Sequence, residues 1–364
     1  MKRLFRRPIE RENAARSIFL LTVSFAASVL VTRSFLALTG YPQIGDETLH
    51  VAHVLWGGLI LGVGALLPLI YGSTWIYSVS AVVSGIGLGL FFDEVGKFLT
   101  QTNDYFFRPA APIIYVLFLI LLYLYASIRR GEPSPRERLH YALWAMEEVV
   151  DGDLDTREKA ALEERLKAII GQAAVPDVRL LAMEMLDFVQ KEADVVEAPK
   201  RPVREWLQGA WAFIETRILT RAVLRWALFI GTGVLGALAL VNLVTLANAL
   251  AVHNDAFLET VTAEYRVTTG QEGTWLAVMT ALEGLVGALL LIGAVAFLLG
   301  KDKLATGIAL AGVLISLAGS NVLVFYFEQF IASISAGIDL ALLLALSFYR
   351  QRYVRVEPPA GRPA

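Results

Sequence analysis

Long apolar runs separated by short polar breaks dominate the chain. About eight of them, roughly at 16–38, 49–71, 75–99, 109–128, 222–247, 274–299, 304–332 and 336–349, are long enough to cross a bilayer as helices. One stretch, about 131–205, breaks the pattern. Its segment GEPSPRERLHYALWAMEEVV is charged, with Leu139, Leu143, Met146, Val149 and Val150 at helical spacing. Asp155 followed by Glu158 is a capping signal for a second helix through Leu162, Leu166 and Ile169. A third helix is predicted from Val178 to Gln190. The following RPVREWLQGAWAFIETRILTR interleaves Trp206, Trp211, Phe213 and Ile214 with Arg201, Arg204 and Arg217, which suits a helix lying in the membrane interface.

The reading is an all-α integral membrane protein with about eight transmembrane helices and a small cytoplasmic helical insert. It divides into membrane half A at 1–130, the insert at 131–205, half B at 206–355 and a disordered tail at 356–364. Basic flanks set the orientation. Lys2, Arg3, Arg6, Arg7, Arg11 and Arg16 precede the first run, Arg129 and Arg130 follow the fourth, and Arg217, Arg221 and Arg225 precede the fifth. Lys301 and Lys303 separate the sixth and seventh, and Arg350, Arg352 and Arg355 follow the last. The intervening loop 39–48 has no basic residue. This alternation places both termini and the insert in the cytoplasm of a bacterial inner membrane. The first run is read as an uncleaved anchor, since no small-x-small cleavage site follows it. Tyr349 and Tyr353 are read as interfacial anchors.

Composition agrees: 56% of residues are hydrophobic, 18% are charged, and mean hydropathy is +0.58. The absence of cysteine excludes disulfides and thiolate chemistry. A net charge of -2 provides no basic field for nucleic acid. Asp151-x-Asp153-x-Asp155 opens like a calcium loop, but its sixth position is Thr156 and its twelfth is Leu162, where glycine and glutamate are required. It reads as an interhelical turn.

The two halves are expected to be parallel repeats of four spans each. Glu94 in FFDEV matches Glu328 in YFEQF, His53 matches Glu283, and Asp104 matches Asp339. Gly58-x-x-x-Gly62, with Gly85, Gly87 and Gly89, predicts close packing of the second and third runs. Asp339 alone reads as ordinary stabilisation of a helix first turn.

Candidate chemistry lies at one end of these spans. His50 and His53 are three residues apart, and Asp93-Glu94 closes the next run, with Lys97 one turn on as counter-charge. Ionisable groups are expensive at membrane depth and face an interior or a water-filled pocket when they occur. His53, Glu94, Asp93 and Lys97 are therefore the candidate catalytic groups. Asn103, Asp104, Tyr105, Arg108, Glu283 and Glu328 are candidate substrate contacts. Histidines with carboxylates also ligate divalent metal ions, which makes His50, His53, Glu94 and Glu283 the candidate ligands. His53, Glu94 and Glu283 are expected to line one outward-opening pocket. The bland alternative is a structural ion-pair network.

GIGLGLFFDEVGKFLTQTNDYFFRP and NVLVFYFEQF resemble stretches of uncharacterised bacterial multi-pass membrane proteins, a resemblance that implies no activity. DETLHVAHVLWGG followed by an acid-bearing span is similar to VanZ-like proteins, in which a histidine-bearing helix precedes a glutamate-bearing one; the lysine usual in that first motif is missing. Three functions stay open at this point. One is a metal-dependent intramembrane enzyme acting on a lipid or envelope substrate. The second is a proton- or cation-coupled transporter of a small molecule. The third is a scaffold or sensor whose insert binds a cytoplasmic partner.

The orientation is directly testable in this cysteine-free chain. Single cysteines at 104 and in 253–273 should react with an impermeant maleimide from outside, and those in 131–205 only from the cytoplasmic side. Labelling of position 104 from the cytoplasm alone rejects the topology.

Overall fold

A computed structural model describes residues 9–40, 53–128, 135–152, 154–172, 176–191, 217, 219–329 and 332–354. These residues form helices and no strand. Eight of the helices are long and apolar enough to cross a membrane: Ala14–Thr39, His53–Ile70, Thr74–Asp93, Ala110–Ile128, Arg221–Ala251, Gly270–Leu298, Asp302–Glu328 and Ala332–Val354. Many large apolar side chains on them are exposed, among them Leu38, Leu69, Trp226 and Leu344, as lipid-facing surfaces require. The chain is a multi-pass α-helical membrane protein. The expected spans agree with these helices in number and, within a few residues, in position. The expected interfacial helix at 201–217 lies almost wholly outside the described residues.

The chain divides into two compact units, Met1–Glu94 with Ile120–Val203 and Val95–Leu119 with Arg204–Ala364. In the first unit, α1 (Ala14–Thr39) and α2 (His53–Ile70) both pack on α3 (Thr74–Asp93). The α2–α3 contact is backbone on backbone. A Cβ on Gly87 would sit 2.4 Å from the Leu61 nitrogen, and one on Gly57 2.5 Å from the Phe91 nitrogen. Gly57 and Gly64, seven residues apart and so on one face, meet α3, whereas Gly62 has open space around its Cα. The expected Gly58-Gly62 pair is thus displaced to neighbouring glycines, because Gly58 is rotated about 100° from the contact face.

The charged middle of the chain forms three helices of the same unit, α6 (Pro135–Asp151), α7 (Thr156–Gln172) and α8 (Pro176–Lys191); α4 (Val95–Leu99) and α5 (Ala110–Ile128) precede them. Leu139, Ala142, Leu162, Leu166, Ile169, Ala182 and Val189 form their buried core. The sequence's capping signal is realised. Asp155 Oδ1 accepts from the Arg157 and Glu158 amides, and Glu158 Oε2 accepts from the Asp155 amide at 2.9 Å.

In the second unit, α9 (Arg221–Ala251) leads to α10 (Asp255–Glu264), a short helix the sequence pattern did not predict. Asn254 caps it, accepting from the Phe257 amide. Next come α11 (Gly270–Leu298) and α12 (Asp302–Ile315), then a π-helical turn Ser316–Ser320, α13 (Asn321–Glu328) and α14 (Ala332–Tyr349). One core gathers Leu228, Leu290, Phe297, Val313, Leu346 and Tyr349. Another gathers Tyr115, Met279, Val324, Phe325 and Ala332. Tyr349 corrects its assignment as an interfacial anchor. It is wholly buried, and its hydroxyl donates to Asp302 Oδ2 at 2.7 Å.

Packing order differs between the units. The helix touching two others is the third span in the first unit, but the second unit's α11, its second span, packs on both α9 and α12. The structure gives the span-for-span duplication no support.

The glycine contact predicts a contrast. Gly87→Ala should destabilise the folded protein by about 1–3 kcal/mol through overpacking against a backbone that cannot yield. Gly62→Ala should be near neutral. Thermal unfolding of the two variants in detergent checks this, and equal effects would place the helix contact elsewhere.

Candidate functional site

Asp93 ends α3, and Glu94 is its C-cap residue at φ -94°, ψ 12°, before the new turn of Val95–Leu99. On a continuous helix the two side chains would point about 100° apart. The helix break lets both carboxylates reach α2. His53 Nε2 lies 2.9 Å from Asp93 Oδ2, and His53 Nδ1 lies 3.3 Å from Glu94 Oε1. The other Glu94 oxygen accepts from the Val54 amide at 3.0 Å, near the start of the described part of α2. That contact satisfies an otherwise orphan helix-terminal donor and places negative charge at the positive end of the helix.

The counter-charge to Asp93 in this unit comes from Arg33 of α1. Its Nε pairs with Asp93 Oδ1, and its Nη2 donates to the Asp93 carbonyl at 2.8 Å. Asp93 and Glu94 are completely buried and Arg33 is 6% exposed, whereas the His53 side chain keeps 26% of its surface open. Sequence reasoning passed over Arg33. Its signal is a lone arginine inside an apolar run, in VLVTRSFLAL.

A histidine whose two ring nitrogens both face carboxylate oxygens suits the doubly protonated ring, which has a donor at each nitrogen. With His53 in that form, each of its two described carboxylate contacts is a charge-assisted hydrogen bond. Removing one proton leaves one donor between two acceptors. The arrangement can hold a proton between the ring and either carboxylate, and His53 is the most exposed of the four side chains.

Candidate metal ligands fare differently. His50 lies outside the described residues. Both nitrogens of His53 face carboxylate oxygens. Among the described residues no group of three or more His, Cys, Asp or Glu is arranged to hold a metal.

The remaining candidates belong to the second unit. Lys97 Nζ sits 5.4 Å from the centre of the Tyr105 ring. Asp104 shapes its own loop: its Oδ1 accepts from the Phe106 amide at 2.8 Å, and its amide donates to Thr100 Oγ1. Asn103 occupies a left-handed turn at φ 52°. Arg108 ties the loop to α11 through Glu272 at 2.9 Å and through the Arg266 carbonyl. These are positioning contacts within the protein.

Glu283 and Glu328 lie close enough to interact electrostatically, and Glu283 also feels Asp339. Tyr265, in the loop before α11, lies near Glu328. Burial, with the neighbouring Glu328 and Glu283 carboxylates, pushes its phenol up to about 12. Asp339 corrects its assignment as a first-turn acid. Its helix begins at Ala332, and its Oδ2 accepts from Ser316 at 2.5 Å and from Asn321 at 2.9 Å, at the π-helical turn.

Arg33→Ala should destabilise the fold by about 3–5 kcal/mol, because it removes one partner of a buried ion pair. The double variant Arg33→Met/Asp93→Leu should recover much of that loss, and both follow from thermal unfolding. A single variant as stable as the wild type would show that Asp93 does not depend on Arg33.

Comparison of the chain with protein-family models, curated proteins and solved structures finds no match in any of the three. The site is read on its own geometry.

Proposed function

We propose that this chain is a proton-coupled membrane transporter of a small solute, with His53 as the proton-exchanging group. The observation that carries the reading is His53 held between two fully buried carboxylates while a quarter of its side chain stays accessible. Protonated, the ring donates to Asp93 on one side and Glu94 on the other, and so binds α2 to the end of α3. Deprotonated, it has one donor for two acceptors, and one of those links is lost. Arg33 holds Asp93 in either state. Protonation is thereby linked to how firmly one spanning helix holds another, as coupling requires.

The second unit supports the same reading. Glu283, Glu328 and Asp339 are carboxylates in or at the ends of apolar helices, and Asp339 is bound at a π-helical break. Such breaks within spans are recurrent features of sites that transport ions and solutes. In this reading the basic flanks place both termini and residues 131–205 in the cytoplasm of a bacterial inner membrane, with the His53 site facing outward. The metal-dependent enzyme is the weaker reading, because among the described residues no group of three or more His, Cys, Asp or Glu is arranged to hold an ion. A scaffold role would rest on a partner of the α6–α8 helices, which present Leu180, Met183 and Phe188 at their surface.

Two measurements on reconstituted protein test the coupling. The distance between spin labels placed on α2 and α3 should be more narrowly distributed at pH 5 than at pH 8 in the wild type, and unchanged with pH in His53→Gln. A lumenal pH dye, read while a panel of small solutes is added outside, should report solute-dependent acidification that His53→Gln abolishes. A pH-independent distance distribution in the wild type would sink the proposal.

A further inference from the structure

The second unit has a built cationic end that the proton site does not use. At the start of α9, Arg221 Nη2 donates to Asp302 Oδ2 at 2.8 Å. Arg225 lies 3.5 Å from Asp302 Oδ1, and its guanidinium is pinned by two hydrogen bonds to the Phe297 carbonyl, at 3.0 and 2.6 Å. Tyr349 fills the remaining approach to Asp302 Oδ2. Among the described residues one carboxylate thus faces two arginines, where four spanning helices meet. Lys301 and Lys303 are exposed beside Asp302, and Arg350 and Arg352 follow Tyr349 on the same end of the unit. Asp302 itself is buried and offers no outward negative charge.

Directly along the helices from these cations the surface is apolar. Arg225, Trp226, Phe229, Phe297 and Leu298 line a small cleft between α9 and α11. Trp226, Leu298, Leu299 and Leu304 are each at least half exposed. An anion held by the cations therefore sits where apolar span meets polar boundary. A soluble phosphate, a nucleic acid or an acidic protein has no use for the cleft, whereas a lipid fills both parts.

We propose that this end of the second unit binds an anionic phospholipid, its phosphate on the Arg221–Arg225–Lys301 cluster and the start of an acyl chain in the cleft beside Trp226. Arg225 is the oriented contact, since its Phe297 bonds fix the guanidinium plane. Lys301 and Lys303 supply the charge that selects an anionic headgroup over a zwitterionic one. Neither this site nor its test depends on the transport reading.

Native mass spectrometry of the full chain, released from micelles containing phosphatidylglycerol or phosphatidylcholine, tests the proposal. The wild type should retain phosphatidylglycerol about tenfold more strongly than phosphatidylcholine. The Lys301→Gln/Lys303→Gln variant should lose about fivefold in retention per cation removed. Both lysines are exposed, so this variant keeps the Arg221–Asp302–Tyr349 contacts and should unfold at the wild-type temperature. Trp226→Ala should shorten lipid retention as well. Neutralising two cations of the helical bundle, Arg157→Gln/Lys159→Gln, should change nothing. Equal retention of the two lipids, an equal loss in the bundle variant, or displacement of the lipid by millimolar inorganic phosphate would overturn it.

Discussion

Asp93 is a charge at the end of an apolar helix with no exposure to water, and the first unit is organised around that fact. A buried carboxylate persists only if cations and donors surround it. Arg33 supplies these from α1 and His53 from α2, so a single side chain on α3 is tied to both of its neighbours. The glycine contacts serve the same arrangement. Gly57 and Gly87 let the backbones of α2 and α3 touch, and His53 lies one turn before Gly57, so close packing carries the ring to the carboxylates. With a larger residue at either glycine, the helices would stand apart and the hydrogen bonds would lengthen beyond use.

The helix break at Glu94 matters as much as the charges. Continued helix would turn Glu94 away from Asp93 and offer His53 one carboxylate. Ended there, the chain presents two, and an ion pair becomes a three-membered bridge whose strength depends on a proton. Arginine side chains, unlike histidine, keep their charge over the physiological pH range. The permanent part of the network therefore holds α1 to α3, and the variable part holds α2. Under the transport proposal, that division is what would make the α2 contact switchable while the α1 contact stays fixed.

The spans were legible because a bilayer demands one property over about 20 residues, and averaged hydropathy reports it without any knowledge of contacts. The Asp155–Glu158 cap was legible because its partners are three residues apart. The two halves of the His53 site were visible as unusual residues in apolar runs, yet their pairing was not. Arg33 and Asp93 are 60 positions apart, and no local pattern connects them. Glycine spacing misled for a related reason: Gly57, Gly58, Gly62 and Gly64 offer several faces, and only the partner helix decides which one is used. Tyr349 looked like an anchor because it stands at a span end beside arginines, and it is buried because Asp302 needs its hydroxyl.

Both units meet the problem of charge in an apolar setting, and their solutions differ in kind. Around Asp93 the described charges balance, and the accessible member of the set is the one that can lose a proton. Around Asp302 the charges do not balance: two arginines face one carboxylate, and exposed lysines add to the excess. A balanced buried network is stable by itself and changes state only when a proton leaves or arrives. An excess of described cations at the edge of an apolar span attracts anions, and the bilayer is a constant source of anions attached to hydrocarbon. The first arrangement is suited to exchange and the second to anchorage, which is why the proton site and the lipid site are assigned to different ends of different helices.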